Sequence, residues 1–284
     1  MSSTAPALQA PEPGPLLSWF AGLSPKWLVT MLITTIVVIG TLRFEILQSM
    51  WILPIAIGTS IGTELLLSRF ARGTFSPIQS AYISGTSMSI LTQTQQGVLW
   101  PFALGAAISI TSKYALTYRG RHLWNPTNFG ISILVLLAPG SVSVLSQQWG
   151  NAVPTLAVIW VVGLLVATRA RILHVSLAYV AAFFAFAALR AALAGESYLL
   201  EMAPITGPMY QLFVFFMITD PATTVRSKRG RILVAVLIAA VECAIRMPEV
   251  FSWIPLGEHL LKAPPIFALA IVGPIAKLID LRRG

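Results

Sequence analysis

Two short stretches hold the residues with the most chemical capacity. The first is Asn125-Pro126-Thr127-Asn128, set between a basic cluster and an apolar run. The second is Thr219-Asp220-Pro221-Ala222-Thr223-Thr224, which follows an apolar run and precedes the basic stretch Arg226 to Arg231. Both share one grammar: a polar residue that caps a helix or turn, then a proline. Asn is a favoured N-cap, and proline at the first helical position loses nothing because its missing N–H has no intrahelical partner there. That reading accounts for Asn125 and Pro126 without a ligand. It leaves Asn128 open, because a second amide on an apolar helix is costly unless it finds a partner. Asp220 is likewise either a cap paired with a nearby cation such as Arg226 or a functional carboxylate.

Other charged residues in the apolar segments are sparse. Glu242 lies four residues before Arg246, the spacing of a helical ion pair. Glu64 is a further acid near an apolar segment. The one cysteine, Cys243, excludes an internal disulfide, and no Cys/His spacing suggests a metal site. His122, His174 and His259 each fall near a helix end and read as solvated loop histidines. No hydrolytic triad or phosphate-binding loop appears.

The elements that position these residues follow from composition. The chain has 284 residues, of which 56% are hydrophobic and 10% charged, with a mean hydropathy of +0.79. Soluble domains carry about 25% charged residues, so this surface is not made for water. The net charge of +9 therefore points to membrane topology and excludes nucleic acid, since there is no soluble domain to present a basic face. Residues 1–26 read as a cytoplasmic tail, Pro- and Ala-rich at its start and without a signal-peptide pattern, and 27–284 as one transmembrane domain.

Ten apolar segments stand out: 27–42, 47–67, 78–91, 98–116, 128–145, 152–167, 175–193, 205–218, 232–245 and 265–279. Several fall short of the ~20 residues that cross a bilayer. Ten crossings put 15 of the 19 basic residues on one face, and only Arg43, Arg190, Arg246 and Lys262 on the other. Adding or removing one helix scrambles this asymmetry. By the positive-inside rule both termini are then cytoplasmic, in a multi-pass protein of the inner (plasma) membrane. The expected fold is an all-α polytopic bundle of about ten transmembrane helices. Five plus five segments suggest two inverted repeats, about 27–145 and 152–279. Ile83-Ser84-Gly85 matches Ile205-Thr206-Gly207 in the third and eighth segments. Short interrupted segments at matching places in two halves point to a midplane site.

The ordered motifs resemble a family. Asn125, Pro126, Asn128 and Gly130, then Thr219, Asp220, Pro221, Thr223 and Gly230, match the pattern of the NqrB/RnfD-type membrane proteins of Nqr and Rnf complexes. Ser80, Ala81, Ser84 and Gly85 match a third family segment. The resemblance runs from about residue 47 to the C-terminus. It implies two inverted five-helix repeats and a subunit of an electron-transport system that relays electrons through a flavin, riboflavin or FMN, beside other membrane or soluble redox subunits. It also implies that Asn125, Pro126, Asn128, Thr219, Asp220, Thr223, Ser84 and Gly85 lie near that flavin. A carboxamide offers both functions that the pyrimidine edge of an isoalloxazine can use. The chain departs from the family at residues 139–154, where a threonine carries covalent FMN in family members and no threonine is present here. A short relative with noncovalent flavin is the expectation, similar to proteins of enediyne-type biosynthetic clusters.

Other functions suit the same architecture, because a fold does not fix a function. A small-solute transporter or channel of urea- or ammonium-transporter type would use Ser84, Thr86 and Thr206 along its path. A membrane accessory protein would dock a soluble oxidoreductase on Arg226, Lys228 and Arg229.

Overall fold

A computed structural model describes residues 25–44, 47–144, 153–247 and 257–283. Most of the N-terminal tail and residues 145–152 of the loop without threonine lie outside these described residues. The structure is mostly helical. The helices are α1 (Pro25–Phe44), α2 (Ile52–Arg72), α3 (Gln79–Leu91), α4 (Trp100–Ala115), α5 (Pro126–Leu137), α6 (Val153–Arg169) and α7 (Leu173–Ala194). After them come α8 (Tyr198–Met202), α9 (Pro208–Leu212), α10 (Lys228–Ile245), α11 (Gly257–Leu261) and α12 (Pro264–Arg282). Helix α9 continues as a π-helical turn, Phe213–Met217.

A helix lies on each of the ten apolar segments, but their lengths differ. Among the described residues three helices, α2, α7 and α12, are long and apolar enough to cross a membrane. The polarity of α2 is arranged inside out. The buried stripe of α2 is Ile52, Ala56, Ser60, Glu64 and Ser68, one residue per turn, while Leu66 and Phe70 face outward at 61% and 85% exposure. Large apolar side chains on the outside and small or polar ones at the helix contacts are what a lipid environment favours.

The all-α expectation needs one correction. Two short antiparallel ladders are present: β1 (Thr92–Thr94) with β4 (Val142–Val144), and β2 (Thr117–Tyr118) with β3 (Arg121–His122). For the β1–β4 ladder the reason is helix length. The 13 residues of α3 and 12 of α5 rise only about 20 Å. The chain beyond each helix is still inside the protein, where Thr92, Thr94, Val142 and Val144 are buried. Backbone groups there need partners, and pairing β1 with β4 supplies them.

Several helix contacts recur between the two halves of the chain. In the first half α1 packs on α3, α2 on α4, and α4 on α5. In the second half α6 packs on α9, α7 on α10, and α10 on α12. The tripeptide match does not share this correspondence. Gly85 is inside α3, whereas Gly207 is an extended N-cap (φ −73°, ψ 150°). Pro208 follows Gly207 and disfavours helical geometry in the residue before it.

Candidate functional site

The Asn-Pro-Thr-Asn box starts α5. Asn125 has extended backbone, and its Oδ1 accepts the Asn128 N–H at 3.0 Å, the N-cap bond expected from the sequence. Its other atom, Nδ2, donates to Asp220 Oδ2 at 3.2 Å. Asn128 is buried and donates Nδ2 to the Ile266 carbonyl at 2.9 Å, tying α5 to the first turn of α12. Next to the box, Trp124 donates its indole N–H to the Ala270 carbonyl at 2.9 Å. Pro274 lies inside α12 and has no N–H, so the Ala270 carbonyl has lost its helical donor. Trp124 replaces it and pins the box to α12.

Asp220 is organised from three sides. Oδ1 accepts the Ala222 N–H at 3.0 Å, and Oδ2 accepts Thr223 Oγ1 at 2.9 Å as well as Asn125. Arg226, the partner anticipated for it, instead bonds Asp280 at 3.1 Å. The adjacent loop is held by Lys277, buried in α12, whose Nζ donates to the Thr224 carbonyl at 2.7 Å. Thr219 bonds back to the Phe215 carbonyl at 2.6 Å, within the turn that ends the π-helical segment. π-helical turns concentrate at functional sites because they re-aim side chains.

These two motifs meet at one cavity of about 340 Å³. Its walls are mainly apolar, with Ile33 and Ile36 of α1, Ile83 of α3, and Phe215, Phe216 and Met217 of the π-helical turn. Among the anticipated residues, Ser84, Asn125, Pro126, Thr219 and Asp220 line it. Three do not. Gly85 faces α2, where a Cβ would sit 2.7 Å from the Ala56 carbonyl oxygen. Asn128 reaches away to α12, and Thr223 braces Asp220.

The cavity also recruits residues that sequence patterns left aside. Ser87 joins the anticipated Ser84 and the motif residue Ser80 on one face of α3, at the i, i+4, i+7 spacing of a helical stripe. Ser84 is 6% exposed, and its hydroxyl makes no hydrogen bond with the described residues, unlike Thr86 and Ser89, which bond back along the helix. His122 is half-buried on the wall, not a solvated loop histidine. Burial pushes its imidazole below the ordinary value; the Asp220 charge opposes this and the Lys113 charge adds to it. The β2–β3 hairpin carries it there, three residues before Asn125. Arg169, at the end of α6, lines the same space.

Two buried acids lie apart from the cavity wall. Glu64 pairs with Lys113 at 2.5 Å and accepts Tyr114 Oη at 2.8 Å, bridging α2 and α4. Glu242 pairs with Arg246 at 3.0 Å, the i,i+4 ion pair read from the sequence, and also accepts the hydroxyls of Tyr179 and Tyr210. Each half of the chain thus encloses one carboxylate satisfied by tyrosine and a cation.

No protein-family model matches the chain, and no curated protein matches it.

Proposed function

We propose that the protein is an integral membrane subunit of an Rnf/Nqr-like electron-transport system, holding a flavin noncovalently in the cavity between α1, α3, α5 and the π-helical turn. The observation that carries this reading is the convergence of Ser84, Asn125 and Asp220, from three distant parts of the chain, on one cavity. Its volume of about 340 Å³ lies at the lower end of small-molecule sites, which combine apolar walls with a few convergent polar groups. The residues suit a planar ring with a polar edge. Ile33, Ile36, Ile83 and Phe216 offer flat apolar contact, while Ser84 and His122 offer donors and acceptors. A bound flavin would supply one- and two-electron transfer. The chain's own part is to bind and orient the ring, and to set the local field through Asp220 and the cations around it.

In this reading all ten apolar segments cross the inner membrane, with both termini cytoplasmic and the basic end facing the cytoplasm. The recurrence of helix contacts in the two halves supports the inverted five-helix repeats. Electrons come from and go to other membrane or soluble redox subunits, for which the basic end is the docking face. The transporter reading has less support. Thr86 is buried and bonded to the Tyr82 carbonyl, and Thr206 is exposed, so neither joins Ser84 on a common path.

The test is cofactor content. Protein purified from riboflavin-supplied cells is expected to be yellow and to release riboflavin or FMN on denaturation. Colourless protein with no flavin by mass spectrometry, and no uptake of added flavin, rejects the reading. Solute flux in proteoliposomes without a redox partner would favour the transporter.

A further inference from the structure

Ser80 on the cavity wall accepts a hydrogen bond from Lys113 Nζ at 3.3 Å. The same ammonium donates to Glu64 Oε2 at 2.5 Å, and Tyr114 donates to Glu64 Oε1 at 2.8 Å. Glu64 is buried, whereas Tyr114 is half-buried beneath the exposed Arg72, whose guanidinium lies 5.2 Å from its ring centre. An unbroken series of hydrogen bonds therefore joins the surface at the basic end of the bundle to the cavity. The second acid cluster differs: Glu242 is 0% exposed, and neither it nor Tyr179, Tyr210 or Arg246 lines the cavity.

We propose that Tyr114, Glu64, Lys113 and Ser80 form a proton wire that serves the cavity once a ligand fills its mouth. This rests on the reading of the cavity as a ligand site. Ser80 accepts from Lys113, which leaves its own O–H available to the cavity. When a basic atom there takes that proton, the Ser80 O–H bond breaks and an N–H bond of Lys113 gives up its proton to re-form the hydroxyl. The Lys113 amine is reprotonated through Glu64, which takes the Tyr114 proton, and the phenolate recovers one from surface water. The net change is one proton moved from water to the acceptor, with all four side chains restored. A bound flavin would supply such an acceptor on reduction; His122 is the acceptor already in the wall, facing the charges of Asp220, Lys113, Lys277 and Glu64.

The wire is testable without any flavin. Cys243 is the only cysteine, so a Cys243→Ala, Ser84→Cys parent can be alkylated at the cavity with 2-bromoacetamido-4-nitrophenol. This small chromophore fills the space and reports its own protonation by its visible band. After a stopped-flow pH jump, Ser80→Ala and the charge-neutral double variant Glu64→Gln/Lys113→Met should slow protonation about 100-fold, the scale of losing a positioned proton donor. Ser89→Ala removes a hydroxyl bonded to the Gly85 carbonyl, away from the cavity, and should leave the rate unchanged. Relaxation of both wire variants at the parent's rate would overturn the proposal and place proton access at the mouth. Flavin content is measured separately, so the two readings can fail independently.

Discussion

Asn125 donates its side-chain amide to the Asp220 carboxylate at 3.2 Å, joining residues 95 positions apart. One side chain thereby caps α5 and holds the Thr-Asp-Pro turn at the cavity. Replacing Asn125 with Ala removes both functions. The cap is worth about 1 kcal/mol and a hydrogen bond to a charged group about 1.5–3 kcal/mol. Thermal unfolding in detergent should show a clear fall in stability. Asp220→Asn keeps the shape and should unfold nearer the wild-type temperature, while any flavin retained on purification decreases. Equal stability of Asn125→Ala and wild type would show that the contact is not formed.

Trp124 and Pro274 should be energetically coupled. Trp124→Phe leaves the Ala270 carbonyl without a donor, at a cost of about 1–3 kcal/mol. With Pro274→Ala the helix regains its own N–H donor to that carbonyl. The indole loss should then cost less in the double variant than in the single one. Strict additivity in a double-mutant thermal-unfolding cycle would rule the coupling out.

Glycines on α2 and α3 should respond oppositely to alanine. At Gly85 an added methyl meets the Ala56 carbonyl oxygen and Ile57 Cα, both at 2.7 Å. Overpacking of this kind costs about 1–3 kcal/mol, because rigid backbone must move. At Gly58, in the same helix pair, nothing lies within 4 Å. Gly58→Ala should be neutral or stabilising by about 0.5–1 kcal/mol, the helix-propensity gain. Size-exclusion profiles after graded heating distinguish the two.

His122 should make stability fall on the acid side of neutrality. Its folded value lies below the ordinary 6.5 because of burial. Above about pH 6.5 the imidazole is neutral in both states and its contribution is complete. As pH drops below that, the unfolded chain takes up a proton that the folded protein resists, so stability declines until the folded group also titrates. His122→Gln should flatten the pH dependence of the unfolding temperature between about pH 6.5 and the folded value. An unchanged profile would show that the ring is not in the cavity wall.

Much of this chain is legible from residue order wherever local rules govern it. Hydropathy marked ten segments, each of which carries a helix, and the proline grammar of Asn125-Pro126 placed the start of α5 and its cap bond. The i,i+4 spacing predicted the Glu242–Arg246 pair. These features depend on neighbours within a turn or two, so residue order suffices to read them. What each polar group faces was settled by packing between distant segments. Asn128 and Gly85 were singled out with the cavity residues, yet one reaches the α12 backbone and the other packs on α2. His122 looked like a loop residue, and the β2–β3 hairpin turns it onto the cavity wall. Arg226 chose Asp280 over the nearer Asp220. The β1–β4 ladder was likewise invisible, since its strands are far apart in sequence and pair because short helices leave buried backbone unpaired. A helix period fixes which residues share a face, but only the packing of other helices against that face fixes whether it meets lipid, protein or a cavity.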